Sequence, residues 1–162
     1  MNRAEYAIEV RRTMPQRNDD LQLAIYALGL VGEAGELDSA LDLYKLKPSE
    51  SIRAQISKEL GDCYWYAFAL AASCGLSLDR YLTPGKSPIA YAALVAERVK
   101  KYLGHGEHLD YEVTASLLGR FLSAVHMSWS DDESTIMRLN SEKLRKRYPE
   151  GFSVASSLER KE

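Results

Sequence analysis

The sequence predicts an all-α protein, a helical bundle, and three observations carry that prediction. Apolar residues recur at three- and four-residue spacing over long stretches, as in Leu30, Val31, Leu37 and Leu41. No stretch alternates apolar and polar residues with the period of two that a half-buried strand needs. The prolines fall at or between the ends of these stretches, where they close one helix or open the next.

Each element then follows in chain order. Residues about 2–13 form a short first helix that ends before Pro15. "RNDD" (17–20) offers Asn or Asp caps for a long helix from about 20 to 45, which Pro48 brings to an end. "KPSES" supplies a fresh start, and a second long helix runs from about 49 to 74, with Gly75 as its stop. "LSLDRYL" (76–82) reads as one short turn, and "TPGKSP" (83–88) as the clearest linker of the chain. Helices over about 88–103 and 110–128 follow, separated by "GHGEHLD". The last helix, 132–147, takes a cap near Asp131 and is closed by "YPEGF".

A chain of 162 residues is expected to make one domain, long enough to bury a core without staples. Its net charge of −2 gives no general attraction to nucleic acid or to an anionic membrane. The longest apolar run, "CYWYAFALAA" (63–72), is far shorter than a membrane span. "MNRAEYAIEVRRTM" lacks the continuous apolar core of a secretory signal, so the expected location is the cytoplasm. Cys63 and Cys74 stand on one predicted helix, about 16 Å apart by its rise, too far for a disulfide. They are expected to be two small hydrophobes in a reducing compartment. His105 and His108 flank a glycine-rich loop and are expected to be exposed, whereas His126, among apolar residues, reads as a satisfied core histidine.

The chemistry concentrates in "GEAGE" (32–36) and "KELGD" (58–62). Residues three apart on a helix differ by about 60° in direction and about 4.5 Å in height, so Glu33 and Glu36 project to one side. Glu33 falls three after Leu30 and four before Leu37, beside the buried stripe. The next helix repeats the spacing with Glu59 and Asp62, on a stripe shared with Ile56 and Trp65. Two antiparallel neighbours would bring four carboxylates together, where they repel one another and lose hydration. A hard divalent cation relieves both costs, and an all-oxygen donor set favours Mg²⁺ or Mn²⁺ over zinc. A di-iron centre would want Glu-x-x-His motifs, and no histidine stands in either segment. A single Glu-x-x-Glu is commonly a solvated helix edge; two such pairs on consecutive helices, both beside core stripes, favour the cation. Gly32, Gly35 and Gly61 either reduce bulk beside the carboxylates or serve tight helix packing.

Taken with "NSEKLRKRYPEGFS" (140–153), these segments resemble the MazG-like nucleoside triphosphate pyrophosphohydrolases. The resemblance rests on Glu-x-x-Glu, Glu-x-x-Asp and a closing Asn-x-x-Lys helix that runs into Arg-Tyr-Pro-x-Gly-Phe, in that order. It covers about 1–82 and 138–160. It implies an all-α bundle of the NTP pyrophosphohydrolase type and Mg²⁺ dependence, with Mn²⁺ as a substitute. It also implies hydrolysis of a nucleoside triphosphate to monophosphate and pyrophosphate, by a homo-oligomer that is a dimer or a dimer of dimers. Glu33, Glu36, Glu59 and Asp62 would be the metal ligands, with one carboxylate left unliganded, Glu36 or Glu33, positioning or deprotonating the attacking water. Asn140, Lys143 and Arg147 would contact base, sugar or phosphates, and Tyr148 would stack on the base or pack. As a bare run, "KLRKR" is equally a solvated basic face. Trp65 and Tyr66 are either core or a wall of the nucleotide pocket.

The chain is expected to be one domain, 1–162, with a core of 1–82 and 131–160 and an additional helix pair at about 88–128. That pair departs from the family pattern. "AYAALVAERVKKYLGHGEHLDYEVTASLLGRFLSAV" runs roughly parallel to the first helix pair, with Leu117 and Arg120 where Glu59 and Asp62 stand. It is either a degenerate internal copy that has lost its carboxylates or an unrelated insertion. Besides the enzyme, two other functions stay open: a catalytically inactive regulator that binds nucleotides or a partner, and a helical interaction module with surface acid pairs.

Overall fold

A computed structural model describes residues 1–15 and 19–154 and shows six helices: α1 (Arg3–Thr13), α2 (Asp20–Leu46), α3 (Glu50–Ser73), α4 (Pro88–His105), α5 (Tyr111–Met127) and α6 (Glu133–Arg147). Among the described residues there is no strand, so the all-α prediction holds. Arg17 and Asn18 of the proposed cap segment, and 155–160 of the proposed core, lie outside the described residues.

Local chemistry sets the helix ends. Asn2 and Glu5 form a reciprocal capping box at α1, each side chain accepting from the other's backbone N–H at 2.9 Å. Asp19 accepts from Gln22 N–H at α2 and Ser49 from Ile52 N–H at α3. Pro88 opens α4, where its missing N–H costs nothing. Gly75 takes φ +66°, which lets Leu76 N–H reach the carbonyl of Ala71 at 2.8 Å and close α3. The cap of α6 is Asp132 rather than Asp131, because the Asp131 carboxylate accepts from the Ser57 hydroxyl of α3 at 2.8 Å.

The helices pack around α3. Helix α2 lies along α3, α4 lies along α2, and α5 closes a four-helix ring against α4 and α3. Helices α1 and α6 pack together on the remaining side of α3. Enclosure from both sides explains why α3 is apolar nearly all round from Cys63 to Ala71, with Tyr64, Ala67, Phe68 and Leu70 buried. This packing is compatible with both readings of residues 88–128. No described helix is long and apolar enough to cross a membrane.

The expected turn at 76–82 is not helical. The guanidinium of Arg3 donates to the carbonyls of Leu78 and Arg80, at 2.8 and 3.1 Å, and holds that segment open across α1. Arg3 also donates to the Oε1 of Glu133 at 2.6 and 3.0 Å, and Tyr64 adds a third bond to that oxygen at 2.8 Å. The Tyr81 hydroxyl donates to Oε2, and the Arg3 guanidinium lies over the Tyr81 ring. This clamp joins the N-termini of α1 and α6 to α3 and the 76–87 connection.

Candidate metal centre

Helix α2 supplies Glu33 and α3 supplies Glu59 and Asp62, and one oxygen from each lies within 4.8 Å of the others. The placement follows from the stripes. Leu30, Ala34 and Leu37 bury one side of α2, which leaves Glu33 half-buried at its edge. Ile56, Leu60 and Cys63 bury the side of α3 that carries Glu59, which is only 2% exposed. Asp62, one turn further, is half-buried. Glu36 is exposed and is not in this trio. Three residues along a helix bring about 60° of rotation, enough to carry Glu36 off the stripe's edge.

The trio carries more negative charge than the lysines beside it offset. Burial raises the Glu33 carboxyl to about 7, and the charges of Asp62, Glu36 and Glu59 push it the same way, with Lys58 working against them. Burial likewise raises the thiol of Cys63, helped by the same carboxylates, and Cys63 remains a small buried hydrophobe. Cys63 and Cys74 are unpaired, as expected.

Two ammonium groups stand on the carboxylates. Lys58 donates to both oxygens of Glu59, at 3.0 and 3.1 Å, and lies 3.7 Å from Oδ2 of Asp62. Lys143, reaching across from α6, donates to Oδ1 of Asp62. The sequence reading singled out Lys143 but not Lys58. Its position four before Asp62 on a helix is the signal that would have found it.

Asn140 is buried between α1, α3 and α6. Its Oδ1 accepts from the Tyr6 hydroxyl at 2.7 Å, and its Nδ2 donates to Oδ1 of Asp62 at 3.2 Å. Burial and the Asp62 charge raise Tyr6 well above the usual phenol range, so it stays a donor. Gly61 makes this approach possible: a Cβ there would meet Asn140 Nδ2 at 2.8 Å and its Cβ at 2.9 Å. Gly32 and Gly35 face open space, so they serve no helix packing among the described residues. A cleft of about 190 Å³ opens between α3 and α6 beside the carboxylates, lined by Ser57, Lys58, Gly61, Leu139, Asn140 and Lys143.

The other residues singled out from sequence lie around this centre or apart from it. The indole N–H of Trp65 donates to the Thr13 hydroxyl at 2.9 Å, and its ring packs edge-on against Tyr26 and Tyr66. The Arg147 guanidinium lies over the Tyr148 ring, and Tyr148 is buried against Phe152 with its carbonyl accepting from Arg12. These contacts turn both residues toward α1 and the closing segment. Leu117 is half-buried and Arg120 donates to the Thr83 carbonyl at 2.5 Å, so the second helix pair brings no acid to the counterpart of Glu59 and Asp62. His105 and His108 are exposed, as expected. His126 is a correction: it is half-buried, and its buried Nδ1 has no hydrogen-bond partner among the described residues.

Three carboxylate oxygens at this separation form a hard, all-oxygen donor set that could hold a metal ion. The ammonium groups already seated on two of them show that positive charge is accommodated there. No family model, no curated protein and no solved structure matches the chain.

Proposed function

We propose that the protein is a divalent-cation-dependent nucleoside triphosphate pyrophosphohydrolase, as its resemblance to the MazG-like family implies. One observation carries the reading. Glu33, Glu59 and Asp62 converge, and Asn140 and Lys143 of the closing helix meet the same Asp62. Segments far apart in sequence, both of which the resemblance marks as functional, thereby share one carboxylate.

The roles follow from that arrangement. Glu33, Glu59 and Asp62 would hold Mg²⁺ or Mn²⁺, with Glu36 one turn away able to join them. The bound cation supplies charge neutralisation between the carboxylates and a triphosphate, and acidifies water. Lys143 and Asn140, on the wall of the cleft, bind phosphate or sugar oxygens beside it. Glu33, half-buried at the edge of the trio, accepts the proton of a water attacking the α-phosphorus. The new P–O bond forms as the bond from the α-phosphorus to the bridging oxygen breaks, and pyrophosphate leaves. Arg147 and Tyr148 belong to the supporting wall on this reading, and Trp65 to the aromatic floor below Asp62. A homo-oligomer is part of the same reading; α2 leaves Leu21, Ile25 and Leu28 exposed on one stripe, which supports an interface there.

One observation favours the second reading, an inactive nucleotide-binding regulator: Glu36 stands exposed and outside the trio. A panel of ribo- and deoxyribonucleoside triphosphates, assayed with Mg²⁺ for pyrophosphate against orthophosphate, separates the two. Pyrophosphate release that disappears in Glu59→Gln supports the enzyme. Orthophosphate alone rules out attack at the α-phosphorus, and binding without turnover selects the regulator. Saturating Mn²⁺ is expected to raise the melting temperature, since a ligand at 100 times its Kd contributes about 2.7 kcal/mol.

A further inference from the structure

We propose that Lys58 is an exchangeable counter-ion, which occupies Glu59 and Asp62 in the free protein and leaves them for the cleft when a divalent cation binds. The inference rests on the divalent-cation reading above and concerns how that site is regulated.

The geometry makes Lys58 a direct competitor. One ammonium donates hydrogen bonds to both oxygens of Glu59, the most deeply buried of the three acids, and also lies near Asp62. A divalent ion that contacts Glu59 must bind an oxygen that already accepts from this ammonium. The two cations would then stand within a few Å, and a doubly charged ion repels the ammonium twice as strongly as a single charge would. Lys143 is placed differently: it meets only Oδ1 of Asp62, from the opposite wall. Glu59 therefore depends on Lys58 for its counter-charge.

The side chain is also free to leave. Its exposure is 54%, against 2% for Glu59, so the lysine can swing on its stem while its partner stays put. Lys58 already lines the cleft with Ser57, Asn140 and Lys143, which gives the released ammonium an anion-binding wall to join. Loading would then exchange one charge pair for two: cation with carboxylates, and lysine with an oligophosphate. The cation concentration at which the site fills is set by this competition.

The test is calorimetric titration of the full chain with Mn²⁺, without nucleotide, for the wild type, Lys58→Met and Lys58→Arg. Removing the competing charge is expected to tighten Mn²⁺ binding by at least about tenfold. Lys58→Arg keeps the charge and is expected to bind as the wild type does. If Lys58→Met fails to fold, Lys58→Gln removes the same charge while retaining a polar side chain. Equal or weaker Mn²⁺ binding by a folded neutral variant overturns the role of Lys58 while leaving the cation site intact. Tightening in Lys58→Arg as well shows that charge is not the cause and overturns the exchange. A wild type that takes up no Mn²⁺ removes the cation reading itself, and this inference with it.

Discussion

The protein holds buried carboxylates in two places and treats them in opposite ways. At the junction of α1, α3 and α6, Glu133 faces one guanidinium and two phenols, and both its oxygens are bonded. Charge is balanced there, and the Glu133 carboxyl lies below its ordinary range: burial pushes it up, but the bonds from Arg3, Tyr81 and Tyr64 outweigh it. Between α2 and α3, three carboxylates face two ammonium groups, and Glu33 is raised to about 7. A carboxylate with a full set of donors acts as a structural clamp. A cluster with negative charge left over costs stability unless something else supplies the missing charge. That contrast, more than the acidity of the residues, is the reason we propose the second site as the functional one.

The strongest way to break the comparison is to neutralise one acid at each place. Glu133→Gln leaves Arg3 buried without its charge partner and is expected to cost about 3–5 kcal/mol in denaturant unfolding, while the folded fraction keeps its turnover. Glu33→Gln is expected to do the reverse. It removes like-charge repulsion, so stability rises, and it removes the proposed base, so turnover falls by about 10²–10⁴-fold. Loss of stability at Glu33 would place it in the clamp category and remove its proposed role.

A smaller effect sharpens how the two sites are joined. Gly61 lets Asn140 approach, and Asn140 links Tyr6 on the clamp's side of α3 to Asp62. Gly61→Ala would put a Cβ 2.8 Å from the amide nitrogen, and is expected to cost about 1–3 kcal/mol as the neighbours shift. If the amide also orients Asp62, Mn²⁺ affinity should fall along with the melting temperature. An unchanged Mn²⁺ affinity would make Gly61 a packing glycine only.

How much of this was legible follows from the range of each interaction. Helix ends were readable to within about two residues, because Asn2, Asp19, Ser49 and Gly75 act within one turn of themselves. Glu33, Glu59 and Asp62 were readable because their spacing set them beside apolar stripes on consecutive helices. Glu36 shared that spacing, yet the rotation of one three-residue step was enough to turn it to solvent. The clamp left no such trace: Arg3 and Glu133 are 130 positions apart, and Glu133 in "DDEST" looks like an ordinary acidic first turn. Lys58 was overlooked for the opposite reason, since a lysine beside a glutamate on a helix is usually an exposed pair of little consequence.

The smallest effect concerns protons, and it opposes the two sites within one titration. In an unfolded chain both glutamates titrate near about 4.3. Glu33 is raised on folding, so its contribution is fully present below about 4.3 and is lost as pH rises through about 7. Glu133 is depressed, so its contribution is present above about 4.3 and is lost as pH falls through its lower folded value. Subtracting the pH–stability curve of each Gln variant from that of the wild type should give curves of opposite slope, one bending in acid and the other near neutrality. A divalent cation should erase only the second, because holding it requires Glu33 to be ionised. Below pH 7, Mn²⁺ binding should therefore release up to one proton, read by calorimetry in two buffers of different ionisation enthalpy. Glu33→Gln should abolish that release. A release that survives the substitution would move the titrating acid elsewhere in the cluster and leave Glu33 without a role in binding.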